Sequence, residues 1–161
     1  MSRGLDKFDI RLLNLLQSNN LATAEALAAK VPLSPSAITR RVRRLREEGI
    51  ITADRAVLSG RIAGRRLKAI VRLELSEHAP EAGLTELRDS LAAAQEVQSC
   101  AEISGPFDLF LTVVTRDMEA FNAFADHMLA ANPAVRRYET SFVKREIKNS
   151  TLIMLDEEDA R

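Results

Sequence analysis

Five arginines fall within seven positions of this chain: Arg40, Arg41, Arg43, Arg44 and Arg46. A guanidinium fork matches two partners well, the oxygens of a phosphate and the O6/N7 edge of guanine. Wound into a helix at 3.6 residues per turn, Ile38, Val42 and Leu45 share one face that must be buried. Ser36, Arg40 and Arg43 then lie opposite, with Arg44 beside them and Thr39 on the flank. Such an outer strip suits a DNA major groove, where the arginines read bases and the hydroxyls of Ser34, Ser36 and Thr39 reach bases or phosphates. Arg46, Arg55, Arg61, Arg65 and Arg66 are placed for backbone phosphates, which give affinity without sequence information. A basic helix alone is equally a solvated face, so the choice rests on what surrounds it.

The surroundings favour double-stranded DNA. The net charge of zero conceals a division: residues 1–66 hold 13 Lys+Arg and 6 Asp+Glu, a balance of +7. The remaining 10 and 17 leave −7 for residues 67–161. This split suggests one part that meets phosphate and one that does not. Other chemistries find little support. The only histidines, His78 and His127, are far apart, and no phosphate-cradling GxxxxGK[ST] loop appears. Cys100 is a single cysteine in an alternating stretch, read as a small buried residue rather than a nucleophile. No apolar run approaches the roughly 20 residues of a membrane span, and Met1-Ser2-Arg3-Gly4-Leu5-Asp6 has no apolar leader core. A metal-free, cofactor-free, cytoplasmic protein with no membrane partner is the expectation, folded in keeping with its 46% hydrophobic residues.

Three helices must position the arginines. Asp6 can cap the first, whose third position is Asp9 and whose Phe8, Leu12, Leu15 and Leu16 recur at helical spacing. Ile10 and Leu13 widen the apolar surface, which favours a dimer contact over burial on several sides. A second helix covers about Thr23 to Lys30. Ser34 caps the third, with Pro35 at its first position and Gly49 past its end. Ile50 to Arg66 reads as a short hairpin and a linker. The period then changes: strand at 69–75, helix from Pro80, strands at 97–103 and 107–115 joined at Gly105-Pro106, helix from Asp117, and a long strand at about 135–147. That order, βαββαβ, is the split βαβ arrangement of a ferredoxin-like αβ-sandwich. The tail Asp156-Glu157-Glu158-Asp159 reads as solvated and frayed.

The segments Leu5-Asp6 to Leu16-Gln17, Leu33-Ser34-Pro35-Ser36, Arg41-Val42-Arg43-Arg44-Leu45 and Gly49-Ile50-Ile51, followed by Ile103-Ser104-Gly105-Pro106-Phe107-Asp108 and Val143 to Ser150, resemble the Lrp/AsnC (feast/famine) regulators over residues 5–155. The resemblance implies an α+β protein: an N-terminal winged helix-turn-helix at 1–60, a linker at 61–66, and a ligand-binding and oligomerisation domain at 67–161. It further implies a transcriptional regulator, not an enzyme, whose homodimers assemble to octamers or discs and whose assembly or DNA affinity follows an amino-acid effector. Pro32 stands where the family usually has glycine, and Arg46 where an acidic residue is common. Because Ser141 and Phe142 differ from the leucine-responsive member, leucine is not carried over.

A zwitterionic effector needs an anion and a set of donors. Asp108 can hold its ammonium, while N–H groups around Gly105 and the hydroxyl of Thr140 or Ser141 meet its carboxylate. Pro106 offers no N–H, and Phe107, Met118 and Phe142 would line the apolar part. The alternative is a plain hairpin turn in which Asp108 satisfies its own backbone. Two other functions fit the same architecture: a ligand-independent architectural DNA-binding protein, and an enzyme resembling the sirohaem decarboxylases, which has no use for so basic a helix.

Overall fold

The computed structural model describes residues 4–160; Met1-Ser2-Arg3 and Arg161 lie outside the described residues. Two compact units emerge. One runs up to Ala56 and takes back the chain from Lys148 onward; the other is Val57–Ile147. The domain expectation had kept everything after residue 67 together, but the last residues pack with the amino-terminal helices.

The first unit is built on α1 (Lys7–Ser18), α2 (Ala24–Ala28) and α3 (Pro35–Glu47). Each start is chemically marked. Asp6 accepts from the Phe8 and Asp9 N–H groups, and Asp9 accepts from the Asp6 N–H at 3.1 Å, which closes a capping box. Thr23 caps α2 and Ser34 caps α3 ahead of Pro35. The end of α3 is equally specific: Ile50 N–H bonds Leu45 C=O at 2.9 Å and Gly49 N–H bonds Arg46 C=O at 3.0 Å. That crossing pair requires a left-handed residue, supplied by Gly49 at φ +71°. Leu12, Leu16, Leu27, Val31, Ile38 and Val42 form the core of this unit. Ile10 and Leu13 are also buried, at 3% and 7% exposure, so the apolar breadth of α1 reflects burial within the chain.

The expected hairpin after α3 is not found among the described residues. Residues 53–59 are irregular, and one short helix, α4 (Gly60–Ala63), precedes the sheet. The reason is the lack of alternation there: Val57 and Leu58 are exposed and adjacent, so neither face is apolar enough to pair.

The second unit follows the expected order: β1 (Leu67–Leu75), α5 (Glu81–Ala93), β2 (Val97–Glu102), β3 (Leu109–Thr115), α6 (Met118–Ala125) continued by a π-helical turn at Asp126–Ala130, and β4 (Val135–Phe142). The antiparallel sheet runs β2-β3-β1-β4, each βαβ unit straddling one inserted strand. Ala69, Val71 and Leu73 of β1 and Leu109, Leu111 and Val113 of β3 pack with Leu87 and Leu91 of α5 and Phe121 and Phe124 of α6. Helices cover this face; the other carries Ile70, Phe110, Thr112 and Val114, all half-buried. The last strand is shorter than expected and ends at Phe142, with only Val143 N–H still reaching Lys68 C=O. The acidic tail is ordered rather than frayed: Asp156 caps a 3₁₀ turn, Glu157–Asp159, in a second capping box. Cys100 is exposed on β2 instead of buried. Partial desolvation, with Glu102 nearby, still raises its thiol pKa, which makes it a poor nucleophile.

Candidate functional site

The outward face of α3 is defined by what holds its other sides. Ile38 and Leu45 are fully buried and Val42 nearly so, which fixes the inner face. On one flank, Arg41 Nη1 donates to Asp6 at 2.7 Å and to Asp9 at 2.8 Å, and Arg44 Nη2 donates to Asp9 at 2.6 Å. The Asp9 side chain is wholly inaccessible, while those of Arg41 and Arg44 are 21% and 24% exposed. On the other flank, Arg46 makes a two-bond fork to Asp54 at 3.1 and 3.3 Å. The helix is thus pinned to α1 and to the segment after it, and its rotation about its own axis is fixed.

Ser36, Arg40 and Arg43 remain outward, as the helical projection requires. Arg40 has no ion-pair partner among the described residues, and Arg43 has only the loose i,i+4 pair with Glu47 at 3.6 Å. Two guanidiniums therefore stand ready for base edges, beside the Ser36 hydroxyl, which shares a hydrogen bond with that of Ser34 at 3.2 Å. Thr39 is exposed, but its hydroxyl donates back to Pro35 C=O at 3.0 Å. Ser34 uses its oxygen to accept from Ala37 N–H. Arg44 departs from the expected strip, because a buried carboxylate at 2.6 Å draws its side chain inward. Arg46 is shared with Asp54, and Arg65 is exposed in the second unit. The sequence reading missed the clamp itself. Its signal was an Asp-x-x-Asp helix start facing an Arg-x-x-Arg pair, each at the i,i+3 spacing that puts two charges on one face.

The clamp makes the first unit acid-sensitive. Desolvation raises the Asp6 carboxyl pKa, but the Asp9 N–H and the Arg41 guanidinium outweigh it and hold the group below its ordinary value. A carboxylate depressed in the folded state stabilises above its unfolded pKa, and that contribution is lost as pH falls through the folded value. Unfolding of this unit, followed by circular dichroism, is expected to set in below about pH 4. The Asp6→Asn variant should flatten that dependence.

The eight candidate effector residues are not gathered in one place within the chain. Phe107 is 8% exposed and lies beneath Arg72 and Arg137, whose guanidinium carbons are 5.1 and 5.3 Å from its ring centroid. Arg72 and Arg137 belong to the face away from the helices, so the loop Gly105-Pro106-Phe107-Asp108 curls toward that side. Gly105 has φ +150°, which other residues rarely adopt. Asp108 performs the turn role: its Oδ2 accepts from Leu75 N–H at 2.7 Å, and its own N–H donates to Leu73 C=O at 2.8 Å. Thr140 and Phe142 pair with Val71 and Ala69 and so face the helices, where Phe142 meets Phe121 edge-on at 5.2 Å. Met118 begins α6 one turn before Phe121 and is half exposed. Ser141 pairs with Ile70 on the opposite face. The loop lies by the end of β1 and Phe142 by its start, a span of about 20 Å at 3.3 Å per residue.

Comparison with known proteins agrees with both halves. Residues 5–52 match the winged helix-turn-helix DNA-binding family and residues 68–153 match the Lrp/AsnC ligand binding domain. A leucine-responsive regulatory protein of Haemophilus influenzae is 32% identical over 96% of this chain and 92% of its own length. The crystal structure of a Neisseria meningitidis transcriptional regulator in complex with L-Met is 34% identical, with a TM-score of 0.80 over 91% of this chain and 94% of that one. An AsnC family transcriptional regulator of Agrobacterium tumefaciens is 28% identical, with a TM-score of 0.81 over 92% and 96% of the two chains. With an anchored, outward-facing basic helix in one unit and a βαββαβ sandwich in the other, the chain belongs to the Lrp/AsnC family of DNA-binding transcriptional regulators.

Proposed function

We propose that this regulator binds a pseudopalindromic DNA site as a homodimer and that a free amino acid tunes its assembly or affinity. The observation that carries the effector is the L-Met complex of the Neisseria meningitidis regulator, similar to this chain over nearly its whole length. DNA recognition falls to Ser36, Arg40 and Arg43, with Ser34, Thr39, Arg46 and Arg65 on the backbone, in the cytoplasm where DNA is found. Pairing of two copies through the helix-free sheet face is supported by Ile70, Phe110 and Val114, which one chain leaves half covered. The effector site takes Gly105, Pro106, Phe107 and Asp108 from one copy, and Met118, Thr140 and Phe142 complete it from another, while Ser141, on the opposite sheet face, takes no part. Two features support this division: the groups are far apart within one chain, and the Thr140 hydroxyl is buried without a hydrogen-bond partner. The protein acts by binding, not catalysis.

Footprinting on the DNA upstream of its own gene, with each amino acid in turn, tests the reading. One amino acid should shift DNA affinity by roughly 5- to 150-fold, the usual size of a coupling between sites. If none shifts affinity or melting temperature, the protein is an architectural DNA-binding protein. Asp108 can be tested separately, because Asp108→Asn keeps an oxygen for the Leu75 N–H while removing the charge. That variant should melt like the parent and bind DNA normally, yet lose its effector response by calorimetric titration. Asp108→Ala should in addition lose about 1 kcal/mol of stability. Unchanged effector affinity in both variants would leave Asp108 a turn residue only.

A further inference from the structure

We infer that the second apolar side of α1 is a docking groove for an extended peptide segment, and that its occupant is this polypeptide's own carboxy-terminal tail, residues 152–159. Leu12 and Leu16 point into the three-helix core. Ile10 and Leu13, at 100° per residue, project on the other side and are nonetheless buried. Along that side runs the tail. Asn14 Nδ2 donates to Leu155 C=O at 2.8 Å, and its Oδ1 accepts from Leu155 N–H at 3.0 Å. Gln17 repeats the pattern on Ile153, with bonds of 2.8 and 2.9 Å. Each carboxamide closes a two-bond ring on one residue, as a neighbouring β-strand would.

Positions 14 and 17 are about 4.5 Å apart along a helix, whereas alternate residues of an extended chain are about 6.6 Å apart with their amides on the same side; the reach of the two carboxamide side chains takes up the difference. Met154 therefore turns its amide and its 81% exposed side chain away. Leu155 is half-buried and lines the groove with Ile10, while Lys7 and Arg11 line it beside the acidic Asp156 and Glu157. The groove thus selects a main chain, one leucine and a following negative charge. The polypeptide passes between its two compact units twice, after Ala56 and after Ile147, and the strap follows the second passage. The unit that holds the recognition helix is completed by chain leaving the last strand of the ligand-binding unit.

Amide hydrogen exchange on the full-length protein tests the groove. Ile153 and Leu155 should exchange at least tenfold more slowly than Met154 between them. In Asn14→Ala/Gln17→Ala that contrast should vanish while helix content is retained, and protease cleavage within the tail should quicken at least tenfold. Equal exchange at all three residues, or protection that survives the double substitution, overturns the inference. The identity of the occupant is tested with Arg11→Cys/Glu157→Cys in a Cys100→Ser background, treated with a short bis-maleimide. Crosslinked monomer is the expected product; crosslinked dimer would assign the groove to a second copy's tail and overturn the assignment to the same chain.

Discussion

Replacing Asp9 by alanine is expected to cost the first unit about 3–5 kcal/mol, the penalty for stranding the partners of a buried charge. Asp9 receives both Arg41 and Arg44 and accepts the Asp6 N–H, so one substitution leaves Arg44 with only its 3.9 Å pair to Glu48, Arg41 with Asp6 alone, and one backbone donor without its acceptor. Domains of this kind have only about 5–15 kcal/mol in hand. The loss should appear in urea melts as an early transition in helix signal, with the midpoint shifted and the slope kept. DNA binding should weaken in parallel, because Arg41 and Arg44 fix the rotation of α3 that aims Arg40 and Arg43 outward. A cost under 1 kcal/mol would mean that solvent reaches the clamp and that hydrophobic packing alone orients the helix.

The second large effect is expected on DNA. Arg40→Ala should lower affinity for the specific site by about 1–3 kcal/mol, roughly 5- to 150-fold, and relax the preference at one base position. Arg43→Ala should act similarly but more weakly at a neighbouring position, because Arg43 must release its loose pair with Glu47 to reach a base. Arg65→Ala should instead weaken specific and random DNA alike and reduce the slope of log affinity against log salt by about one. Titrations of both DNAs at several salt concentrations separate these outcomes. Equal losses on both DNAs for Arg40→Ala would reassign the outer strip to phosphate contacts.

Much of this architecture was legible because local chemistry announces it. Asp6, Thr23 and Ser34 cap helices that begin where they should, Gly49 ends α3, and alternation in β1 and β3 marks the buried face. Three features were not legible, each for a physical reason. The clamp on Asp9 joins residues more than thirty positions apart, and the i,i+3 spacing of each charge pair shows that it shares a helix face but not which face it meets. The residues of β4 beyond Phe142 have strand-like composition but no free neighbour to pair with. The buried Ile10 was visible as part of an excess of apolar residues, yet beside it lies a tail whose side chains are mostly exposed and whose grip is through backbone atoms. The candidate effector residues show the limit most clearly, since types suited to a zwitterion lie on opposite faces of one sheet.

The tail on α1 also governs when the amino-terminal helices can mature. Gln17 and its partner Ile153 are separated by 136 positions, so the helices leave the ribosome long before the segment that covers them. At about 5–20 residues per second, roughly 7–27 s pass between the two events. Through that interval Asn14 and Gln17 lack their backbone partners and Ile10 lacks Leu155 beside it. The amino-terminal helices are therefore finished only after the sheet unit has been made, and a ribosome stalled before residues 153–155 emerge would hold a protein whose recognition helix exists but whose α1 is still open to chaperones.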